Sequence, residues 1–593
     1  LRSDNPPGVP NNVFIILSVL DSEEKSKKIM APNVNVDDNN NGNDPDAEEN
    51  VPKPEEETQK TTASSTTPEG AAAAGAVVFS GVDAEVGASL IKPGNNDSQQ
   101  KSSHEHALLV SSRRDTEDTR TKPFVVIVAI AAALGGLIFG YDVGGAGATF
   151  LMDGFKIHFG WECADDDPDC VPATDDEINK DQGLINGLFG TGAAIGAMVA
   201  PKVFDAFGRK ITMYSASVLF IIGAALQAGA VNMNMLTIPR LLSGGGIGML
   251  SMCSPVYIAE LAPEHRRGQL ATLWQLAITT GIVLVSILNI WLAEWDEGWR
   301  ISYGGNIFFA FVLIGMLGIM PESPRFLVAK GRLDDAKEAL RKVRFDDQLD
   351  WEMENLNCEV AEERELGVAT WKEVFSTDNE MRYRVMLGIG LQSFQQLSGI
   401  NAIMFYAPTI LEEFFGSQGA IYGALALNIV NFFATFITIA TVERFGRVIL
   451  LFSGGLVMCL ALIPNAILAS QEQTNTVGIL VVVFCAVYVI GFAYSWGPIV
   501  WVVCAEMFPL RERGKATGLT TFTNWMWTTI VGAIFPHAAA ASLSGCFGFF
   551  AGVVFVATIV VYGWMPETAN RTITEIDEEY KNHKPDFPRK KWM

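Results

Sequence analysis

Two charged residues stand inside long apolar stretches of the sequence. Asp142 interrupts the glycine-rich stretch GGLIFGYDVGGAGATF, and the residues from Phe124 to Met152 contain no other charge. Arg240 lies in the stretch IPRLLSGGG. If both stretches cross a membrane, a carboxylate near the middle of one costs at least about 2.5–3.5 kcal/mol on insertion scales. Asp142 is therefore either a structural carboxylate held by backbone amides in a glycine-broken helix, or a proton site whose partner is Arg240.

Neutral amide side chains form a second candidate set. Gln392, Gln395 and Gln396 fall on one helical face at i, i+3 and i+4, and Gly399 gives the helix a point at which to break before Asn401. Three more amides occur in other apolar segments: Gln275, Asn431 and Asn524. An amide both donates and accepts hydrogen bonds, as recognition of a ligand with many hydroxyl groups requires. The alternative is hydrogen bonding between helices, which contributes about 0.6 kcal/mol on average.

Twelve apolar segments must position these residues. Each holds about 20 residues or more, which is enough for a helix to cross a hydrocarbon core of roughly 30 Å. They begin near Phe124, Leu184, Ile211, Leu236, Gln269, Ile301, Met381, Gly419, Val448, Val477, Gly514 and Ser544. The connections after segments two, four, eight and ten carry the basic motifs DAFGRK, EHRRGQ, ERFGRV and RERGK, whereas the opposite connections are acidic or neutral. By the positive-inside rule, both termini and the long connection between segments six and seven are expected in the cytoplasm.

The composition is typical of a polytopic membrane protein. Of the 593 residues, 49% are hydrophobic, and the apolar core contains no nucleotide-binding loop, catalytic triad or metal-cluster motif, so we expect no enzyme and no cofactor. Much of the net charge of −23 lies in the N-terminal tail and the first external loop, so it does not indicate a nucleic-acid partner. That loop, ECADDDPDC, lacks the glycine and ligand spacing of an EF-hand, and we expect a solvated loop without a metal. Its Cys163 and Cys170 can form a local disulfide or a bridge to another loop.

The chain divides into a polar tail and a duplicated core. Residues 1–123 cannot bury enough apolar surface to offset the entropy of ordering, so a disordered cytoplasmic tail is expected. In the core, DAFGRK returns as ERFGRV, AELAPEHRRG as AEMFPLRERG and, loosely, PESPR as PETANR. These repeats predict two six-helix halves, at 124–320 and 381–566. A cytoplasmic helical linker at 321–380 joins them, and a cytoplasmic tail at 567–593 follows.

These motifs resemble those of the sugar porters, a branch of the major facilitator superfamily. The resemblance rests on GRK with ERFGR, PESPR at the end of segment six, QQLSGINAIMFYAP in segment seven and PET after segment twelve, and it covers about residues 124–570. It implies an all-α membrane protein with twelve transmembrane helices in two six-helix halves, the major facilitator fold, with a cytoplasmic helical linker. It also implies that a monosaccharide, a glucose-like hexose, binds midway between the halves and is transported by alternating access.

The resemblance assigns roles to individual residues. Proton-coupled sugar porters resemble this chain at Asp142 and Arg240, whereas animal facilitators have a neutral residue in place of Asp142, which implies proton coupling through this pair. Sugar contacts are implied for Gln275, Gln395, Gln396, Asn401, Tyr406, Asn431, Trp501 and Asn524. Gating ion pairs that join the two halves at the cytoplasmic side when the transporter faces outward are implied for Asp205, Arg209, Glu260, Arg267, Glu322, Arg325, Glu443, Arg444, Arg447, Glu506, Arg513 and Glu567.

Three functions follow from these residues. The first is a symporter that moves a monosaccharide together with a proton. The second is an uncoupled facilitator, because some fungal facilitators resemble this chain in keeping the aspartate. The third is a transport-inactive sugar sensor, although such sensors usually carry long cytoplasmic tails and only about 27 residues follow the last segment here. For each function we expect an integral, multi-pass protein of the lipid bilayer, and we expect it in the plasma membrane.

Overall fold

The computed structural model describes residues 120–163, 170–263, 266–367, 369–377, 380–472, 474–569, 571 and 573–582. Within these ranges the chain is helical and contains no β-strand. Almost all of the tail predicted at 1–123, and the end of the tail predicted at 567–593, lie outside the described residues.

The helices before the linker follow the predicted segments. They are α1 (Pro123–Thr149), α2 (Asp153–His158), α3 (Asp175–Phe207), α4 (Arg209–Ala228), α5 (Met233–Thr237), α6 (Arg240–Leu261), α7 (Arg267–Leu292), α8 (Gly298–Gly304) and α9 (Asn306–Ile319). Helix α3 begins nine residues before the segment predicted from Leu184, because Thr174 and Glu177 form a capping box that starts the helix in the polar residues ahead of it.

The linker and the second half continue the series. Their helices are α10 (Pro324–Ala329), α11 (Leu333–Val343), α12 (Leu349–Leu366), α13 (Trp371–Val374), α14 (Met381–Leu397), α15 (Ile400–Phe445), α16 (Arg447–Leu468), α17 (Asn475–Gly491), α18 (Gly497–Glu506), α19 (Leu510–Trp564) and α20 (Ile573–Asn582). A 3₁₀ turn at Asp346–Gln348 precedes α12, and a π-helical turn at Phe492–Trp496 joins α17 to α18.

Ten helical runs in the described ranges are long and apolar enough to cross a membrane, and two of them are long enough to cross it twice. Met381–Phe445 has 65 residues and Arg511–Trp564 has 54, whereas one crossing needs about 20. The first run reverses at Gly416, whose φ of 71° suits glycine, and a Cβ on Gly423 would lie 2.7 Å from Leu411 on the other side of the turn. The second leaves helical geometry at Ser542. Counting each of these runs as two crossings confirms the twelve expected spans.

Glycines allow the spans of the first half to pack closely. An alanine Cβ at Gly244 or Gly248 of α6 would lie 2.1 or 2.0 Å from a backbone oxygen of α3, and one at Gly140 of α1 would lie 1.8 Å from the oxygen of Ile278 in α7. Contacts this short require residues without side chains, as is common where membrane helices associate. This packing places α1, α3, α6 and α7 side by side, with Asp142 and Arg240 among them.

The linker is helical as predicted, and the two cysteines after the first span are paired. Helix α11 covers most of the amphipathic sequence RLDDAKEALRKV and buries Ala336, Leu340 and Val343. In the loop, Cys163 and Cys170 form the local disulfide, with their Cα atoms 5.8 Å apart. The bridge to another loop that the sequence left open is therefore excluded.

Candidate functional site

Asp142 and Arg240 form an ion pair inside the first half. Asp142 Oδ2 lies 2.6 Å from Arg240 Nη1, and the two side chains are 5% and 1% exposed. Arg240 is the first residue of α6, directly after Pro239, whereas Asp142 lies in the last third of α1. A charge pair buried this deeply is weak evidence for a stabilising role, because desolvation offsets much of the attraction. In a membrane-spanning segment it is better explained by a function.

Five amide side chains and one hydroxyl from α14, α15 and α19 form a cluster in the second half, which we call the amide cluster (Gln392, Gln395, Gln396, Asn401, Asn524 and Thr528). Asn524 lies at its centre. The Nδ2 group of Asn524 donates to Gln392 Oε1 and Gln395 Oε1, each at 2.6 Å. Its Oδ1 accepts a hydrogen bond from Gln396 Nε2 at 2.9 Å. Neutral donors and acceptors thus converge on one buried point.

The break at Gly399 brings Asn401 into the amide cluster. Gly399 has a φ of 92°, and helix α15 starts at the next residue, so the break that the sequence predicted is present. An unbroken helix would place Asn401 about 140° from Gln396. Instead, Asn401 Nδ2 donates to Gln396 Oε1 at 2.5 Å and to Thr528 Oγ1 at 3.1 Å.

Two members of the amide cluster were absent from the predicted site. Gln392 is fully buried, and besides Asn524 its side chain interacts with the thiol of Cys504 in α18. It lies on the helical face that carries Gln395 and Gln396, so the same spacing could have identified it. Thr528 follows Asn524 by four residues, and its position one helical turn away was the available signal.

The structure places the other predicted sugar contacts outside the amide cluster. Asn431 Nδ2 lies 3.8 Å from the sulfur of Met404, and its buried Oδ1 has no partner among the described residues. Gln275 and Trp501 are half-buried, and no hydrogen bond joins their side chains to the amide cluster in the part of the chain described. These three residues stay predictions.

Tyr406 takes part in a contact between the halves. Its hydroxyl accepts a hydrogen bond from Asn186 Nδ2 of α3 at 2.9 Å and donates one to the oxygen of Gly532 at 2.7 Å. Nearby, Asn428 Nδ2 donates to Ser286 Oγ at 2.8 Å, also across the halves. The cavity beside this bond has a volume of about 10 Å³, which is room for about one water. A sugar therefore cannot pass here unless the halves separate.

Trp525 links the amide cluster to the first half. Its indole N–H donates to Ser251 Oγ of α6 at 3.1 Å. Its ring lies 5.1 Å from that of Phe139 in α1 and 6.0 Å from that of Phe189 in α3, both in edge-to-face geometry. The residue after Asn524 thus contacts three spans of the other half.

Carboxylates cap the two helices that begin at the arginines of the repeated motifs DAFGRK and ERFGRV. Glu322 accepts the backbone N–H groups of Arg209 at 3.0 Å and Lys210 at 3.3 Å, at the start of α4. Glu567 accepts those of Arg447 at 2.8 Å and Val448 at 3.0 Å, at the start of α16. A negative charge at a helix N-terminus is stabilised by the unpaired N–H groups and the helix dipole.

The arginines of the two motifs also bind in similar ways. Arg209 donates to both oxygens of Glu260, at 2.9 and 2.6 Å. Arg447 donates to Glu506 at 2.9 Å and to Glu443 at 3.1 Å. The duplication seen in the sequence is therefore repeated as a duplicated network of ion pairs.

In this structure Arg209 and Arg447 each pair within their own half. Each arginine begins a helix that is capped by a carboxylate of the same half. The pairs between the halves that the resemblance implies for the outward-facing state stay a prediction. The halves nevertheless meet here, because a Cβ on Gly268 would lie 1.8 Å from Glu443 Oε1.

The remaining predicted gating residues are more dispersed. Arg325 contacts Glu363 at 3.2 Å and Glu359 at 3.6 Å, both in linker helix α12. Arg513 donates to the backbone oxygen of Phe508. Three others are exposed at the ends of their spans: Asp205, Arg267 and Arg444. The structure thus connects Arg325 to the linker rather than to the opposite half.

The end of the linker is attached to span eleven. Arg511 Nη2 lies 2.8 Å from Glu373 Oε1. The backbone N–H and the hydroxyl of Thr370, together with Arg511, lower the pKa of Glu373 to about 2. Glu373 therefore stays ionised at any physiological pH, and its ion pair with Arg511 does not respond to changes of pH near neutrality.

Known proteins are similar to this chain in sequence. Residues 128–580 match the family described as "Sugar (and other) transporter". The chain belongs to this sugar transporter family. Sugar transport protein 12 of Arabidopsis thaliana is 34% identical over 484 residues, covering 78% of this chain and 92% of the relative. The low-affinity glucose transporter HXT3 of Saccharomyces cerevisiae is 33% identical over 483 residues, covering 77% and 82%.

A solved structure gives the same result for the fold. The major facilitator superfamily proton:xylose symporter XylE, bound to 6-bromo-6-deoxy-D-glucose, superposes with a TM-score of 0.67 at 26% identity. The match covers 77% of this chain and 99% of that one. The protein is therefore a sugar transporter family member with the major facilitator fold, as the motifs implied.

Proposed function

We propose that this sugar transporter family member is a proton-coupled symporter of a monosaccharide, glucose or a similar hexose, and that it works by alternating access. The observation that carries the proposal is the buried ion pair of Asp142 and Arg240, at 2.6 Å. Its two residues come from different spans, so relative movement of α1 and α6 makes or breaks it. XylE, a proton:xylose symporter, supports the coupling by likeness.

Asp142 would carry the proton. When its carboxylate takes up a proton, the attraction to Arg240 falls and the pair can part; when the pair forms again, the proton is released. An element with two discrete arrangements is what coupling between two ligands requires.

The amide cluster would bind the sugar. Its amides largely satisfy one another, whereas the Oδ1 of Asn431, outside the amide cluster, has no hydrogen-bond partner among the described residues. Sugar hydroxyls both donate and accept, so they can replace amide–amide hydrogen bonds without leaving buried groups unpaired. The site would be completed by Gln275, Trp501 and Tyr406 when the two halves close around the bound sugar.

The basic connections support a cytoplasmic location for both termini and the linker. The ion pairs around Arg209 and Arg447 would then lie at the cytoplasmic side, and their rearrangement would accompany opening towards the cytoplasm. The plasma membrane as the site of function is part of the same proposal.

The test is uptake of radiolabelled glucose by vesicles that contain the purified protein, with and without an inward proton gradient. The Asp142→Asn variant removes the titratable group at nearly constant size, and Asp350→Asn makes the same change at an exposed linker residue. We expect gradient-driven accumulation in the wild type and in Asp350→Asn. Asp142→Asn should lose accumulation but keep sugar exchange.

Two results would contradict the proposal. Uptake that only equilibrates, equal in wild type and Asp142→Asn, would make the protein a facilitator with a structural aspartate. Absence of any glucose or other hexose movement in folded wild-type protein would favour a sensor.

A further inference from the structure

The guanidinium of Arg240 lies close to two aromatic rings. The centroid of the Tyr303 ring is 5.0 Å from Arg240 Cζ, and that of Phe189 is 5.4 Å from it. Arg240 Nη1 reaches Asp142, while Nε has no hydrogen-bond partner in the part of the chain described. Aromatic faces thus take the place of some of the hydrogen bonds that a buried arginine normally needs. We call Phe189 and Tyr303 the aromatic clamp.

The aromatic clamp contributes most when Asp142 is neutral. A ring attracts a cation through its quadrupole, and the attraction is stronger for a bare cation than for one neutralised by an adjacent anion. Protonation of Asp142 leaves Arg240 as an unpaired buried cation, which is costly. The rings reduce that cost and so favour the protonated state.

Tyr303 is held firmly enough to act in this way. It lies in the short helix α8, and Arg300 of the same helix donates to the oxygens of Ala228 at 3.0 Å and Ala230 at 2.7 Å, which attaches α8 to the end of α4. The Tyr303 hydroxyl lies 3.3 Å from Thr149 Oγ1. Tyr303 itself is 5% exposed, so water does not weaken its contact with the guanidinium.

We propose that Tyr303 is a positioning residue whose ring stabilises Arg240 when Asp142 takes up its proton, and that it thereby sets the external pH of half-maximal transport. The inference rests on the proposed proton coupling. It concerns proton affinity rather than sugar recognition, because Tyr303 belongs to the first half and is not part of the amide cluster.

Few other groups could set that pH. Within the described ranges, the charged or titratable groups that face Asp142 are Arg240 of α6, Tyr303 of α8 and the adjacent Tyr141 of α1. From α7, Ile282 and Val285 pack against this part of α1 and Asn289 donates to the oxygen of Gly145, and none of the three carries a charge. From α9, Asn306 donates to a backbone oxygen of α1 and carries no charge.

The experiment measures sugar uptake by vesicles at external pH 5 to 8 for wild type and three variants. Tyr303→Leu removes the ring, Tyr303→Phe keeps it, and Phe309→Leu makes the same size of change in α9, at a ring that contacts Tyr141 instead of Arg240. We expect Tyr303→Leu to shift the half-maximal pH to the acidic side by about one unit, a tenfold loss of proton affinity. Tyr303→Phe, which keeps the ring and loses only the hydroxyl that interacts with Arg240 and Thr149, should shift the profile by less than Tyr303→Leu, and Phe309→Leu should match the wild type.

Sugar counterflow without a proton gradient is measured in the same preparations and should be retained by all variants. If Tyr303→Leu does not purify as a folded protein, Phe189→Leu is measured instead. It removes the other ring of the aromatic clamp, and we expect the same acidic shift of the half-maximal pH. An unchanged or alkaline-shifted profile in a variant with intact counterflow would overturn the inference. If the wild type itself shows no response to the gradient, the proposed symport fails instead, so the two failures are distinguishable.

Discussion

Replacement of Glu567 by glutamine should destabilise the second half. The carboxylate of Glu567 accepts four backbone N–H groups, from Arg447, Val448, Thr568 and Ala569, at 2.8 to 3.0 Å. The first two belong to the start of α16. Glutamine keeps one acceptor oxygen but places an NH₂ group, which is a donor, where the second oxygen stood.

The expected cost follows from these contacts. At least one N–H group of α16 loses its acceptor, which costs about 1–3 kcal/mol. Loss of the negative charge at the helix N-terminus adds about 0.3–2 kcal/mol. Together these two effects should lower the free energy of unfolding by about 3 kcal/mol. Glu322→Gln should cost less, because Glu322 accepts three N–H groups, at 2.9 to 3.3 Å.

The assay is the apparent melting temperature of the purified protein at one fixed heating rate, because unfolding of a protein this large is governed by its rate. Glu338→Gln is the control: Glu338 pairs with Lys342 at 3.3 Å on the exposed face of α11, and such a pair contributes at most about 1 kcal/mol. We expect the order Glu567→Gln lowest, Glu322→Gln next, and Glu338→Gln close to the wild type. Equal melting of Glu567→Gln and Glu338→Gln would refute the capping argument.

Three further predictions concern the contact between the halves, the amide cluster and the linker. Gly268→Ala should favour opening of the halves at the proposed cytoplasmic side, because its Cβ would lie 1.8 Å from Glu443 Oε1. Thiol labelling of a cysteine introduced between the halves on that side should become faster. An unchanged labelling rate would argue against this contact. Asn524→Ala should weaken sugar binding about 10- to 100-fold in a calorimetric titration, since lost amide partners cost about 1–3 kcal/mol each; wild-type affinity would remove Asn524 from the site. The pKa of Glu373 is lowered to about 2, so its ion pair with Arg511 is fully formed at any pH above the ordinary pKa of a glutamate and is lost only as the pH falls towards 2. Hydrogen exchange in α13, corrected for intrinsic rates, should therefore be constant from pH 8 to 5. A change in that range would contradict the lowered pKa.

The fold was predictable because its signals are local. Twenty-residue apolar segments, basic connections and repeated motifs each act over short stretches of sequence, and the twelve spans follow from them. Even the break at Gly399 was predictable, because glycine is the residue that adopts a φ of 92° without strain. The boundaries were less certain: Thr174 caps α3 well outside its apolar segment, through a side-chain contact that hydropathy does not register.

The site was predictable in membership but less so in geometry. The partner of Asp142 followed from the rarity of charges in membrane spans, and Gln395, Gln396, Asn401 and Asn524 do converge. The pairing of Arg209 within its own half did not follow, because several carboxylates at span ends are equally plausible partners in sequence. The aromatic clamp around Arg240 was not foreseen, because it joins residues of α3, α6 and α8 that only tertiary packing brings together.

The central claim is that sugar and proton move together through Asp142. The most direct test adds sugar to weakly buffered vesicles that contain the purified protein and records the external pH. We predict that wild-type vesicles take up protons in proportion to sugar, and that Asp142→Asn vesicles admit sugar without proton uptake. Sugar entry into wild-type vesicles with no change in external pH would contradict the account.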